Sequence, residues 1–291
     1  MADMSLRCFV EDLAVVVRSA KGRAPVISLS EPEARHARLS RRLSVGDPVE
    51  LMDGQGLTAQ GAISAVTKMG VDVAVGLGTA ELTPRLHPAL TLAVAMPKGP
   101  RQDFLIEKCT ELGVAAIQPL ITERSVAGAS DHRRDKWRRA TIEAAKQSGQ
   151  AWLPELFPPI TIEQLLATEQ SFTVRRYDLL LAAMVPSELS AVPNESASVP
   201  LMRITDVMAE LSNQSTTVES SSQPTMKTVL ACVGPEGGFT EVESQRLLAA
   251  GAKSIALGLN VLRIETAALA LAAAFHGMAE PRVMRIPFNE D

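Results

Sequence analysis

A small β-rich unit followed by an α/β domain with a mostly parallel sheet is the architecture this 291-residue sequence predicts. Three observations predict it. Short β-prone runs broken by turn residues fill the chain from residue 5 to about 76. A stretch with two prolines and no periodicity, TAELTPRLHP at 79–88, comes next and reads as a linker. Beyond it, apolar strand-like runs alternate with amphipathic patterns of about 10–15 residues, the rhythm of strand–helix–strand units.

The N-terminal runs are RCFV, APVISL, DPVELMDG, LTAQGAISAV and VDVAVGL, with turns at Gly46-Asp47, Asp53-Gly54 and Met69-Gly70. One helix is expected among them. It follows Ser30 as N-cap, with Pro32 in its first turn and Glu33 three residues after the cap. The predicted domains are therefore 1–78, a linker at 79–88, and 89–291. In the second domain ALTLAVAM, AAIQPLI, YDLLLAAM, MKTVLACV and KSIALG read as strands. RQDFLIEKCTELG, KWRRATIEAAKQSG, TEVESQRLLAAG and IETAALALAAAFHGM read as helices. The stretch 186–226 is rich in Ser, Thr, Asn and Pro in its second half. It is expected to be a long loop, with a short helix at LMRITDVMAEL.

Composition narrows the function. A hydrophobic share of 46% with 21% charged residues is ordinary for a globular chain. No run approaches the ~18 apolar residues of a membrane span, and LAVVV near the N-terminus is too short for a signal peptide, so a cytoplasmic location is expected. Three widely spaced cysteines and four scattered histidines form neither a disulfide framework nor a metal-ligand pattern. A net charge of −4 argues against coating a polyanion nonspecifically. Two clusters differ from that bulk value: Arg35, Arg38, Arg41 and Arg42, and then Arg133, Arg134, Lys136, Arg138 and Arg139. Each is either a solvated helix face or a phosphate contact.

The stretch most suggestive of chemistry is VGPEGGFT at 233–240, placed between a strand and a helix. It is neither a Walker loop nor a dinucleotide fingerprint. Glu236 would repel a phosphate and tolerate or favour a neutral or cationic ligand. The turn is either a ligand loop or a plain strand-to-helix connection capped by Thr240. ALGLNVLRIETAALA at 256–270 repeats the arrangement, with a glycine loop at Gly258 and a helix entered between Arg263 and Thr266, where Arg263 and Glu265 could pair. Two such loops at neighbouring strand ends can form one pocket.

Taken together, GPEGGFTEVE (234–243), LGLNVLRIETAALA (257–270), KGPRQDFLIEKCTELGV (98–114), ITERS (121–125) and the tryptophan-to-glycine run 137–149 resemble the ribosomal RNA small subunit methyltransferase E family. His36, Arg42, Gly46 and Asp47 resemble its N-terminal pattern. The resemblance covers nearly the whole chain. It implies a PUA-like β-barrel followed by a SPOUT domain with a trefoil knot, working as a homodimer. It also implies methylation of uridine N3 in 16S ribosomal RNA of the small subunit with S-adenosylmethionine and no metal. The cofactor would contact Leu230, Gly234, Pro235, Glu236, Gly237, Gly238, Leu257, Gly258, Leu262, Arg263 and Thr266. Arg7, His36, Arg42, Lys98, Arg124 and Arg134 would contact RNA. Arg263 is too basic to act as a base and would stabilise an anion or anchor a phosphate, while the acceptor of the N3 proton stays open among Glu265, Glu111, and water or a solvent base. A SPOUT ribose 2′-O methyltransferase, a noncatalytic RNA-binding protein and an unrelated small-molecule α/β enzyme are the alternatives.

Overall fold

The computed structural model describes residues 6–20, 23–40, 42–68, 70–125, 133–167, 177–184, 201–215, 228–278 and 284–285. Most of the 186–226 stretch lies outside them. The chain divides into two compact units: residues 1–85 with 142–153 and 281–291, and residues 86–141 with 154–280. The division falls inside the stretch expected to be a linker. The two later segments that group with the first unit have no counterpart in a division read linearly along the chain.

In the first unit the strands β1 (Leu6–Phe9), β2 (Val26–Ser28), β3 (Pro48–Met52), β4 (Leu57–Val66) and β5 (Val71–Val75) form a mixed sheet in the order β1-β3-β4-β5-β2. Short β6 (Glu81–Leu82) pairs with β4. Alternation sets the register: Val71, Val73 and Val75 are buried, while Asp72 and Ala74 between them are not. The expected helix is present as α2 (Glu31–Arg35), continued by a π turn at His36–Ser40. Ser30 is its N-cap but makes no side-chain cap bond. Glu33 instead accepts from Lys146 Nζ at 2.9 and 3.1 Å.

A second helix, α1 (Leu13–Arg18), corrects the expectation of one. Three consecutive valines favour a strand locally, but Leu13 and Val17, four residues apart, share the face buried in the unit's core. Cys8 lies in this core, and burial foremost, with the nearby Glu33 carboxylate, pushes its thiol up to about 12.

The second unit contains a parallel sheet. Its strands are β7 (Ala89–Ala95), β8 (Ala116–Ile121), β9 (Glu155–Leu156), β10 (Ile160–Thr161), β11 (Leu179–Ala183), β12 (Met202–Arg203), β13 (Thr228–Val233) and β14 (Lys253–Ala256). The order is β10-β8-β7-β13-β11-β14-β12, with β9 beside β8. The sheet is covered on both faces, as parallel sheets require. Along β13, Val229, Ala231 and Val233 face one core with α3 (Pro100–Glu111), and Leu230 and Cys232 face another. The remaining helices are α4 (Arg134–Ser148), which starts in this unit and ends in the first, α5 (Ile162–Leu166), α6 (Ile204–Ser215), α7 (Glu241–Ala249) and α8 (Ile264–His276). The helix expected at LMRITDVMAEL is α6. The alanine-rich run of α8 buries Ala267, Ala268, Leu271, Ala272 and Phe275 in the chain's own core. A last short strand, β15 (Met284–Arg285), pairs with β6. Among the described residues no helix is long and apolar enough to cross a membrane, and no group of side chains could hold a metal.

Candidate active site

β13, β11 and β14 are consecutive neighbours in the sheet, so their carboxyl ends open at one place. That is where an open α/β sheet accepts ligands. A cleft of about 490 Å³ lies there, within the ~300–1,000 Å³ typical of small-molecule sites. Ala183 and Met184 at the end of β11 form one wall, the turn 233–239 after β13 a second, and Leu257 to Leu262 after β14 a third.

The turn after β13 is closed by the Gly238 N–H donating to the Pro235 carbonyl at 2.8 Å. Gly238 has φ 70°, a left-handed conformation that costs a residue with a Cβ about 1 kcal/mol or more. A Cβ on Gly234 would lie 3.2 Å from the buried ring of Phe239. From the far side, Arg124 Nη1 donates to the Gly237 carbonyl at 2.7 Å and the Phe239 carbonyl at 3.3 Å. Thr240 then caps α7 in a full capping box. Its hydroxyl accepts from Glu243 N–H at 3.3 Å, and its own N–H donates to Glu243 Oε2 at 2.8 Å. Glu243 Oε1 also accepts from the Glu123 N–H at 2.9 Å, tying the end of β8 to the same helix start.

The loop after β14 is more open. Gly258, Leu259, Asn260 and Val261 are exposed, and Arg263, at the N-cap position of α8, makes no side-chain cap bond. The pairing of Arg263 with Glu265 weighed from the sequence is replaced by another. Glu265 is 8% exposed, and its Oε1 lies 3.6 Å from Arg101 Nη1, while its Oε2 is buried without a partner. Arg101 Nη1 also donates to Glu236 Oε1 at 3.0 Å.

Of the residues the sequence points to for the cofactor, Gly234, Pro235, Glu236, Gly237, Gly238, Leu257, Gly258 and Leu262 line this cleft together. Leu230 is buried within β13, Arg263 and Thr266 are exposed on the α8 entrance, and none of the three is among the lining residues. Arg124, read as an RNA contact, is part of the cleft wall. Neither of the two candidate bases is among the lining residues: Glu265 is held near Arg101, and Glu111 accepts from Lys108 Nζ at 2.7 Å. Met184 and Phe239 were missed. The apolar run ending in Met184 could have located it, because ligands gather at strand ends; no local pattern marks Arg101.

The other expected RNA contacts differ in availability. Arg7 is internally engaged: Nε donates to Glu50 Oε1 at 2.7 Å, and Nη1 to the Ala145 and Gln150 carbonyls at 2.9 and 3.0 Å. Arg42, with φ 51°, and Lys98 are exposed, His36 is half-buried, and Arg134 is exposed while donating to the Leu156 carbonyl at 3.2 Å.

Residues 84–276 match the family of the RNA methyltransferase domain. Over 96% of its length the chain is 28% identical to ribosomal RNA small subunit methyltransferase E of Synechocystis sp., covering 82% of that protein. It is 30% identical to the enzyme of the same name from Bacillus subtilis, with 84% and 88% covered. In structure it is similar to ribosomal RNA small subunit methyltransferase E of Neisseria gonorrhoeae, solved bound to S-adenosyl methionine. That match has a TM-score of 0.67 at 25% identity and covers 94% of this chain and 98% of the other. With the cleft at the strand ends and the glycine turns that line it, these matches lead to one conclusion: the chain belongs to the ribosomal RNA small subunit methyltransferase E family.

Proposed function

We propose that this protein is an S-adenosylmethionine-dependent methyltransferase that methylates N3 of a specific uridine in 16S ribosomal RNA. The observation that carries this reading is the cleft of about 490 Å³ between the two glycine loops. Its turn has no side chain at Gly234, Gly237 or Gly238, so the main chain that lines the cleft is open to close contact with a ligand. The exposed carboxylate of Glu236 on the rim is compatible with a cation and unfavourable to a phosphate. The cleft therefore fits a sulfonium nucleoside better than a nucleotide. When bound, S-adenosylmethionine supplies an electrophilic methyl group.

The chain's residues would do the rest. Gly234, Gly237 and Leu257 would present backbone groups to the donor. Arg263, exposed at the entrance of α8, would hold the anion left when uridine N3 loses its proton. Glu265 is the better placed of the two carboxylates for that proton, because it lies in the first turn of α8 between the cleft-lining Ile264 and Ala267, whereas Glu111 does not flank the cleft and is held by Lys108. N3 lies on the pairing edge of the base, so the target uridine must be unpaired or flipped out. Positioning alone can supply on the order of 7 kcal/mol or more towards such a reaction. Arg42, Lys98 and Arg134, exposed in the structure, would contact the RNA backbone.

The PUA-like barrel, the trefoil knot and the homodimer implied by the resemblance, and the cytoplasmic location expected from the sequence, belong to the same proposal. Mass spectrometry of ribosomal RNA from cells lacking this protein tests the central claim. One 3-methyluridine of the small-subunit RNA should disappear and return on complementation. An unchanged 3-methyluridine content, or loss of a ribose methyl group instead, rejects it.

A further inference from the structure

Arg101 lies in the first turn of α3, far in sequence from either glycine loop, yet it reaches one carboxylate on the first loop and one on the helix that follows the second. Nη1 donates to Glu236 Oε1 at 3.0 Å, on the turn after β13, and lies 3.6 Å from Glu265 Oε1, in the first turn of α8. We propose that Arg101 is a positioning residue for the donor cleft: by clasping Glu236 to Glu265 it fixes the two glycine loops relative to one another. The proposal rests on the reading of this cleft as the methyl-donor site.

Three features support a clasp over an incidental surface pair. First, the two carboxylates come from separate elements, so one guanidinium joins three segments of the chain. Second, the Glu265 side chain is only 10% exposed, and a carboxylate that deep needs a nearby cation or donor. Third, α8 lacks the side-chain cap that Thr240 gives α7, so its first turn has less local restraint. The charges also suit the ligand. With the cleft-lining Arg124 and Glu241 counted beside Arg101, Glu236 and Glu265, two guanidiniums face three carboxylates, which leaves the rim net negative and favourable to a cation.

The clasp is tested with Arg101→Gln, Arg101→Lys and a Glu236→Gln/Glu265→Gln background. In the ligand-free protein, hydrogen exchange followed by mass spectrometry should rise for Arg101→Gln in both 234–240 and 257–267, and Arg101→Lys should restore most of the protection. The KM for S-adenosylmethionine should rise about fivefold, the upper end for a partly exposed ion pair, with kcat little changed. In the double-glutamine background, which is read by hydrogen exchange alone because Glu265 is the proposed proton acceptor, Arg101→Gln should add nothing further. Unchanged protection in either segment, equal losses for the lysine and glutamine variants, or additive losses in that background would overturn the clasp. The exchange readout needs no ligand. A wild-type protein that fails to bind S-adenosylmethionine would therefore reject the proposed function, while the clasp is still judged by exchange.

Discussion

Gly234 shows how one hydrogen atom can decide whether a turn keeps its shape. Its missing Cβ would lie 3.2 Å from the ring of Phe239, which is 2% exposed and packed among Leu230, Leu247 and Ala182. Such a ring has little room to retreat, because protein interiors are close-packed. Gly234→Ala should therefore cost about 1–3 kcal/mol of stability through overpacking and displace the turn. Chemical denaturation and calorimetric titration with S-adenosylmethionine check this together. A variant with unchanged midpoint and affinity would mean that the ring shifts freely. The glycines of this turn were legible in the sequence because few roles other than backbone conformation or close approach require them. The partnership of Glu265 with Arg101 was not legible. The two are 164 positions apart, and nearest-neighbour reasoning favoured Arg263, which stands at the N-cap position and makes no side-chain cap bond.

Among the elements, α7 was the most readable. Thr240 followed three residues later by Glu243 is a capping-box signature, and both of its hydrogen bonds are present. Thr240→Ala should cost about 1 kcal/mol, seen as a lower denaturation midpoint. The same change should loosen the glycine turn immediately before it, so donor affinity should fall along with stability. An unchanged midpoint would remove the cap from the account. The long apolar strands were readable for a similar reason, since burial on both faces leaves a continuous apolar run. Short elements were not. β9, β10 and β12 have two residues each, and α5 has five, so no period can be established over them. Ser30 illustrates the opposite error. The pattern around it matches a cap, but Glu33 is drawn away by Lys146, a partner 113 positions distant.

For the molecule as a whole, that Lys146–Glu33 pair is a buried electrostatic commitment of the first unit. Both side chains are 7% exposed, and Lys146 also bonds Glu143 at 3.0 Å. Burial by itself would lower the Lys146 pKa, but the bonds and charges of Glu33 and Glu143 outweigh it and raise the value above 10.5. A raised lysine pKa contributes stability that is fully present below the unfolded value and lost as pH rises through the folded one. The melting temperature should thus fall as pH climbs past about 10.4, and this part of the fall should vanish in Lys146→Met. That variant should also lose about 3–5 kcal/mol at neutral pH by stranding Glu33, and Glu33→Leu with Lys146→Met should recover much of it. Failure of the double variant to recover would assign the loss to packing.

The segment 142–153 has a further consequence. Gly56, at φ 98°, leaves room for the Trp152 indole, whose Nε1–H donates to the Thr83 carbonyl at 2.7 Å, and the Gly56 N–H donates to the Ala151 carbonyl at 3.0 Å. Residues 1–85 are therefore not a cassette that recombination could graft onto another enzyme. Any transplant must carry along a strip of polypeptide encoded some sixty codons downstream, and the two pieces are bound to be inherited together.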